Sequence, residues 1–174
     1  MWSVCTLCCL PESIFHNALS SALDEGISQL NSSGTNPYEP LKLVERLLWL
    51  SNTKSPLEDS EQIHRALVMG GACGFLTYVL SHTGALDPQD RGLWRAKGLA
   101  MTCLGNLIER MGREECHKSI TKEMINAVVA TKEDEGVPLV QRGQAIFTLQ
   151  RYTVAADRCG IQPYYREDTS NMVE

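Results

Sequence analysis

Positive charge is scarce in this chain. Its 174 residues hold 16 Lys and Arg against 21 Asp and Glu, a formal charge of −5, and no stretch gathers the basic residues together. A duplex nucleic-acid binder displays a basic face that neutralises phosphates, so no nucleic-acid partner is expected. Long apolar runs are also missing. None approaches the roughly 20 residues that cross a bilayer, and no transmembrane segment is expected. The opening MWSVCTLCCLP has neither a basic leader region nor an adequate apolar stretch, which argues against a secretory signal.

The catalytic fingerprints are absent too. None of the four histidines, His16, His64, His82 and His117, sits in a His-Glu-x2-His zinc-hydrolase spacing, and there is no Gly-x-Ser-x-Gly elbow. Cys116 and His117 are adjacent, so on a helix they diverge by about 100° and make a poor nucleophile and base pair. Gly70-Gly71-Ala72-Cys73-Gly74 lacks the Gly-Lys-Ser/Thr ending of a phosphate-binding loop. His82, Asp87 and Asp90 could collect around a cation, but such residues more often cap and solvate a turn. The expectation is a protein that is not an enzyme and holds no cofactor.

Cysteine is the one reactive residue in abundance. Cys5, Cys8 and Cys9 with His16 could offer zinc ligands, yet a second Cys-x2-Cys is missing and a structural zinc needs four converging donors. The reading for these residues is ordinary thiols, with a small zinc module or reversible acylation as alternatives. Cys73 and Cys103 fall on apolar helical stripes, where a free thiol behaves as a small hydrophobe. With seven cysteines in all, one is left unpaired, and a reducing compartment, cytoplasm or nucleus, is expected.

What the chain does have is helical periodicity. Ile14, Phe15, Ala18, Leu19, Ala22 and Leu23 follow Pro11 and precede Gly26, predicting a helix near 11–24. The polar run Asn31 to Pro37 reads as a loop. Pro40 opens a second pattern with Leu41, Val44, Leu47 and Leu48 that closes at Leu50-Ser51-Asn52. Ser55-Pro56-Leu57-Glu58 has the form of a capping box and predicts a helix over about 56–69. Gly70-Gly71 then turns the chain into a helix carrying Ala72, Phe75, Leu76, Val79 and Leu80. Beyond Pro88, Leu99, Ala100, Cys103, Leu104 and Leu107 share one side of a helix, while Gly98, Thr102 and Asn106 share another. Short patterns near 114–120 and from Met124 to Val129 follow, then a longer one from Pro138 through Tyr152. From Asp157 onward the residues lose periodicity and read as a tail.

The central motifs, Ile-x4-Val-x-Gly-Gly-Ala, Phe-Leu-x2-Val-Leu and Ala-Met-x2-Leu-Gly-Asn-Leu, running from Ile63 to Leu107, resemble the armadillo repeat, with HEAT repeats close by. Matching Leu104 to Leu149, a shift of 45 positions, fits the period of roughly 40–47 residues of such units. The resemblance implies an all-α fold, a short right-handed α-solenoid, with an N-terminal flank (1–36) bearing one helix, repeats over 37–158 and a tail over 159–174. It also implies a partner groove lined by the third helices. In armadillo proteins that bind extended peptides, an Asn there grips the ligand main chain and a Trp one turn earlier makes pockets. Asn106 fits the Asn and Asn52 is a second candidate, but Thr102 and Leu48 stand where Trp is required. The expected contact residues are therefore Trp94, Thr102, Asn106, Arg110, Phe147 and Arg151. Their ligand is a protein or peptide, and the net acidity favours basic or amphipathic ones. So few repeats expose apolar ends, which implies capping by the N-terminal helix, a homo-oligomer or a longer assembly. An enzyme or accessory subunit on an irregular helical bundle is the competing reading.

Overall fold

The computed structural model describes residues 12–33, 41–42, 44–45, 59–82 and 91–165. Every regular element among them is a helix: α1 (Glu12–Ser33), α2 (Asp59–Met69), α3 (Ala72–His82), α4 (Arg91–Arg110), α5 (Arg113–Ser119), α6 (Lys122–Glu133) and α7 (Leu139–Cys159). Residues 41–42 and 44–45 are helical as well, and Leu41 and Val44 are buried there. The cysteines Cys5, Cys8 and Cys9, the rest of the Pro40–Asn52 pattern, the Ser55–Glu58 capping box, the loop bearing Asp87 and Asp90, and the side chains of His16 and His82 lie outside the described atoms.

The glycine corner forms as its sequence requires. Gly71 has φ +85°, a left-handed conformation that costs a residue with Cβ about 1–2 kcal/mol. Its carbonyl accepts from Phe75 N at 3.0 Å, which starts α3 at once. Gly70 is needed for space instead. A Cβ there would lie 2.8 Å from the Ala66 carbonyl and 3.0 Å from Leu19 Cδ2, because α1 presses its buried Leu19 and Leu23 onto α2 and α3. Helices α2 and α3 then supply Leu67, Phe75, Leu76 and Val79, and α4 supplies Met101, Leu104, Leu107 and Ile108, to one continuous buried cluster.

Helices α5, α6 and α7 follow. Helix α3 packs beside α6, and α4 packs beside α7 along most of its length. Partners across the α4–α7 seam rise together along both helices. Gln141 Nε2 donates to the Trp94 carbonyl (3.2 Å), Thr148 Oγ1 to the Met101 carbonyl (3.0 Å), and Arg158 Nη2 to the Met111 carbonyl (2.9 Å). The two helices therefore run parallel, each bond spanning 47 positions of chain. Helix α6 starts on Thr121, whose hydroxyl accepts from Met124 N at 3.1 Å. That bond satisfies one of the unpaired amides of the first turn.

Two boundaries differ from the periodicity reading. Helix α1 does not stop before Gly26 but continues to Ser33. An interior glycine costs a helix only roughly 1 kcal/mol, and the sequence spacing of Leu19 and Leu23 goes on to Ile27 and Leu30. The loop expected from Asn31 therefore begins no earlier than Gly34. At the other end, α7 extends through Cys159, and Gly160 caps it at φ +62° with Ile161 N bonded to the Ala156 carbonyl at 2.9 Å. The first residues after it are docked rather than a free tail. Tyr164 N donates to Tyr152 Oη (2.6 Å), Lys132 Nζ to Tyr165 Oη (2.5 Å), and Ile161 and Tyr165 pack on the core.

Candidate functional site

Helix α4 is buried along most of its circumference. Its described positions outside the core include Arg95, Leu99, Thr102, Asn106 and Glu109, which fall at steps of three and four and form one stripe. The neighbouring stripe of α7 holds Val140, Phe147 and Val154, each well exposed, with Gln144 and Arg151 between them and α4. Side chains tie the stripes into one surface. Gln144 Nε2 reaches Thr102 Oγ1 at 3.4 Å, Arg151 donates to Asn106 Oδ1, and Arg151 Nε stands 3.5 Å from Glu109 Oε2.

The structure thus gathers Thr102, Asn106, Phe147 and Arg151 on a single face, whereas Arg110 is half-buried with its charge acting on His64 of α2. It also changes what they offer. Asn106 spends its carbonyl oxygen on Arg151, so the two form a bridge across the seam rather than a pair of open grips. Thr102 donates back to the Gly98 carbonyl at 3.1 Å. Phe147, 67% exposed, is the most open of the six. Asn52 lies outside the described residues.

Trp94 is the surprise of the set. It is only 7% exposed, yet its indole Nε1 has no hydrogen-bond partner. Gln144 Oε1 is likewise buried and unpartnered. Both residues line a hollow of about 470 Å³ at the N-terminal end of the face, with Arg95, Gly98, Pro138, Val140 and Gln141. A buried donor and a buried acceptor without partners are costly, each at roughly 1–3 kcal/mol, and both belong to residues that line this hollow. Gly98 makes the arrangement fit, since a Cβ there would stand 2.2 Å from Gln144 Oε1. Periodicity alone did not single out Gln144, because a polar residue on a helix flank carries no signature of the neighbour it will meet.

Elsewhere, reactive groups are withdrawn from solvent. Burial pushes the thiols of Cys73 and Cys103 up to about 12. Cys116 reaches about 12 through burial first and then through its contact with Cys159, whose sulfur is 3.8 Å away. Such thiols hold little thiolate near neutral pH. His117 points outward while Cys116 is buried, so the adjacent pair does not converge. Among the described residues no group of three metal-binding side chains comes together, and no single helix is long and apolar enough to cross a membrane.

No protein-family model, curated protein or solved structure matches the chain.

Proposed function

We propose that the chain is a non-enzymatic interaction module whose α4–α7 face docks a peptide or a segment of a protein partner, with the two helical triplets acting as stacked, armadillo-like repeats. One observation carries the reading: the parallel α4–α7 pair leaves a single surface on which an exposed apolar stripe runs beside a hollow lined by Trp94 and Gln144. Contact residues are Trp94, Gln144 and Val140 at the hollow and Phe147, Arg151 and Asn106 along the stripe. The face departs from the whole chain in charge. It carries Arg95 and Arg151, the latter beside Glu109, so an amphipathic segment with apolar anchors suits it better than a strongly basic one.

Selection of displayed peptides against the full chain tests this reading. Phe147 is exposed, so Phe147→Ser leaves folding intact while removing the largest apolar contact. Selected ligands should bind the Phe147→Ser and Gln144→Ala variants at least tenfold more weakly than the parent. Ligands whose affinity ignores both changes would place recognition on some other surface.

A further inference from the structure

A second hollow, of about 390 Å³, lies between α3, α4 and α6, lined by Leu80, Ser81, Lys97, Glu123, Asn126 and Asp134 among others. Lys97 forms part of it, although the residue is only 4% exposed. No hydrogen bond from its Nζ is present among the described residues. Its neighbours are the Trp94 ring, 5.5 Å from Nζ to the centroid, and the charge of Asp134. Burial pulls its pKa below the usual lysine range, with Asp134 opposing. An ammonium has three N–H donors, and an oxygen-bearing ligand in the hollow can accept from them.

We propose that this hollow binds a small zwitterion bearing one carboxylate and one ammonium, a free α-amino acid being the simplest of the class. The carboxylate meets Lys97 Nζ on the buried side, in a charge-assisted hydrogen bond. The ammonium faces Glu123 and Asp134, both exposed. The exposed Asn126 and Ser81 add a side-chain amide and a hydroxyl at the same wall. Charge selects the class. A plain anion would be repelled by the two carboxylates, and a plain cation would be repelled by Lys97. The volume lies near the lower end of the roughly 300–1,000 Å³ of small-molecule sites, which suits a molecule of amino-acid size. This site shares only the Trp94 ring with the α4–α7 face and does not depend on that face binding anything.

Methyl-resolved NMR of the full chain, titrated with a panel of L-amino acids, tests the proposal. L-alanine is compared with its two truncated analogues, propionate and ethylamine. At least one amino acid should shift the Leu80, Ala127 and Ala130 methyls saturably, with a dissociation constant below about 1 mM. Propionate and ethylamine should each bind at least tenfold more weakly than the best amino acid. Lys97→Met should weaken binding at least tenfold, and Glu123→Gln, a change at an exposed position, should weaken it as well. Phe147→Ser should leave it unchanged, which separates this site from the α4–α7 face. The proposal is overturned if no amino acid saturates those shifts, if propionate binds as tightly as the best amino acid, or if Lys97→Met or Glu123→Gln binds as the parent does. Should Lys97→Met fail to fold, the analogue comparison and Glu123→Gln decide the matter.

Discussion

Helix α4 has two very different sides. Toward α2 and α3 it contributes Leu104, Leu107 and Ile108 to an apolar cluster with Leu67, Phe75 and Val79, where His64 Nε2 donates to the Leu107 carbonyl at 3.1 Å. Toward α7 it meets a ladder of polar side chains: Gln141, Gln144, Thr148, Arg151 and Arg158. Apolar packing is non-directional and grows with area, so the first side supplies cohesion. Hydrogen bonds need particular partners at particular distances, so the second side sets register and leaves polar groups at the solvent edge. The edge with the polar ladder is where the candidate face lies.

That division predicts unequal costs. Phe75 is 1% exposed, and Phe75→Ala should lose about 3–5 kcal/mol, as cavity-forming aromatic truncations do. On the polar side, Thr148 Oγ1 donates between the Met101 carbonyl (3.0 Å) and the Gln144 carbonyl (2.8 Å). Thr148→Val keeps the shape and replaces the donating hydroxyl with a methyl group, so it should cost about 1 kcal/mol. Urea denaturation of both variants checks the ratio. Equal losses would mean that the polar seam is as much a source of cohesion as the apolar one.

His64 sharpens the comparison through pH. Burial lowers its pKa below the usual 6.5, with the bond to the Leu107 carbonyl opposing in part. That carbonyl can only accept, so Nε2 carries the proton and donates. The unfolded chain takes up a further proton near pH 6.5 while the folded one resists it. Stability is therefore intact above about pH 6.5 and falls as pH drops from there toward the depressed folded value, with a slope of at most about 1.4 kcal/mol per pH unit. His64→Gln should flatten this part of the profile when urea midpoints are measured between pH 7.5 and pH 5.5. An unchanged slope would assign the acid sensitivity to other groups.

The same contrast explains what could be read without coordinates. Apolar stripes such as Phe75, Leu76, Val79 and Leu80 announce themselves at helical spacing, and Gly70-Gly71 marks a corner because few other residues tolerate it. The shift of 45 between Leu104 and Leu149 joins two helices, α4 and α7, that pack against each other. The polar ladder left no such trace. A bond from Arg158 to carbonyls at the end of α4 depends on helix ends meeting 47 positions apart in sequence, and no local pattern encodes that. Trp94 is expected among the groove contacts, whereas packing of Lys97 and the start of α7 around it closes it off. Gly26 misled in the opposite direction, since a glycine ends a helix only where the apolar spacing ends with it.

The smallest expected effect on stability falls where the two sides matter most for function. Gly98 is interior to α4, so Gly98→Ala gains about 1 kcal/mol of helix propensity. The new Cβ would stand 2.2 Å from Gln144 Oε1, but that oxygen is the end of a flexible side chain and can swing away. What is lost is the long 3.4 Å contact of Gln144 with Thr102, worth less than about 1 kcal/mol. The two terms nearly cancel, so the unfolding midpoint should stay close to the parent's or rise slightly. Binding should behave differently, because Gln144 and Gly98 both line the hollow, and the substitution displaces one and adds a methyl group at the other. Peptides selected on the parent should then bind Gly98→Ala at least tenfold more weakly while its stability is unchanged. A variant that loses stability and keeps its affinity would show that Gly98 serves the α4–α7 packing and not the face above it.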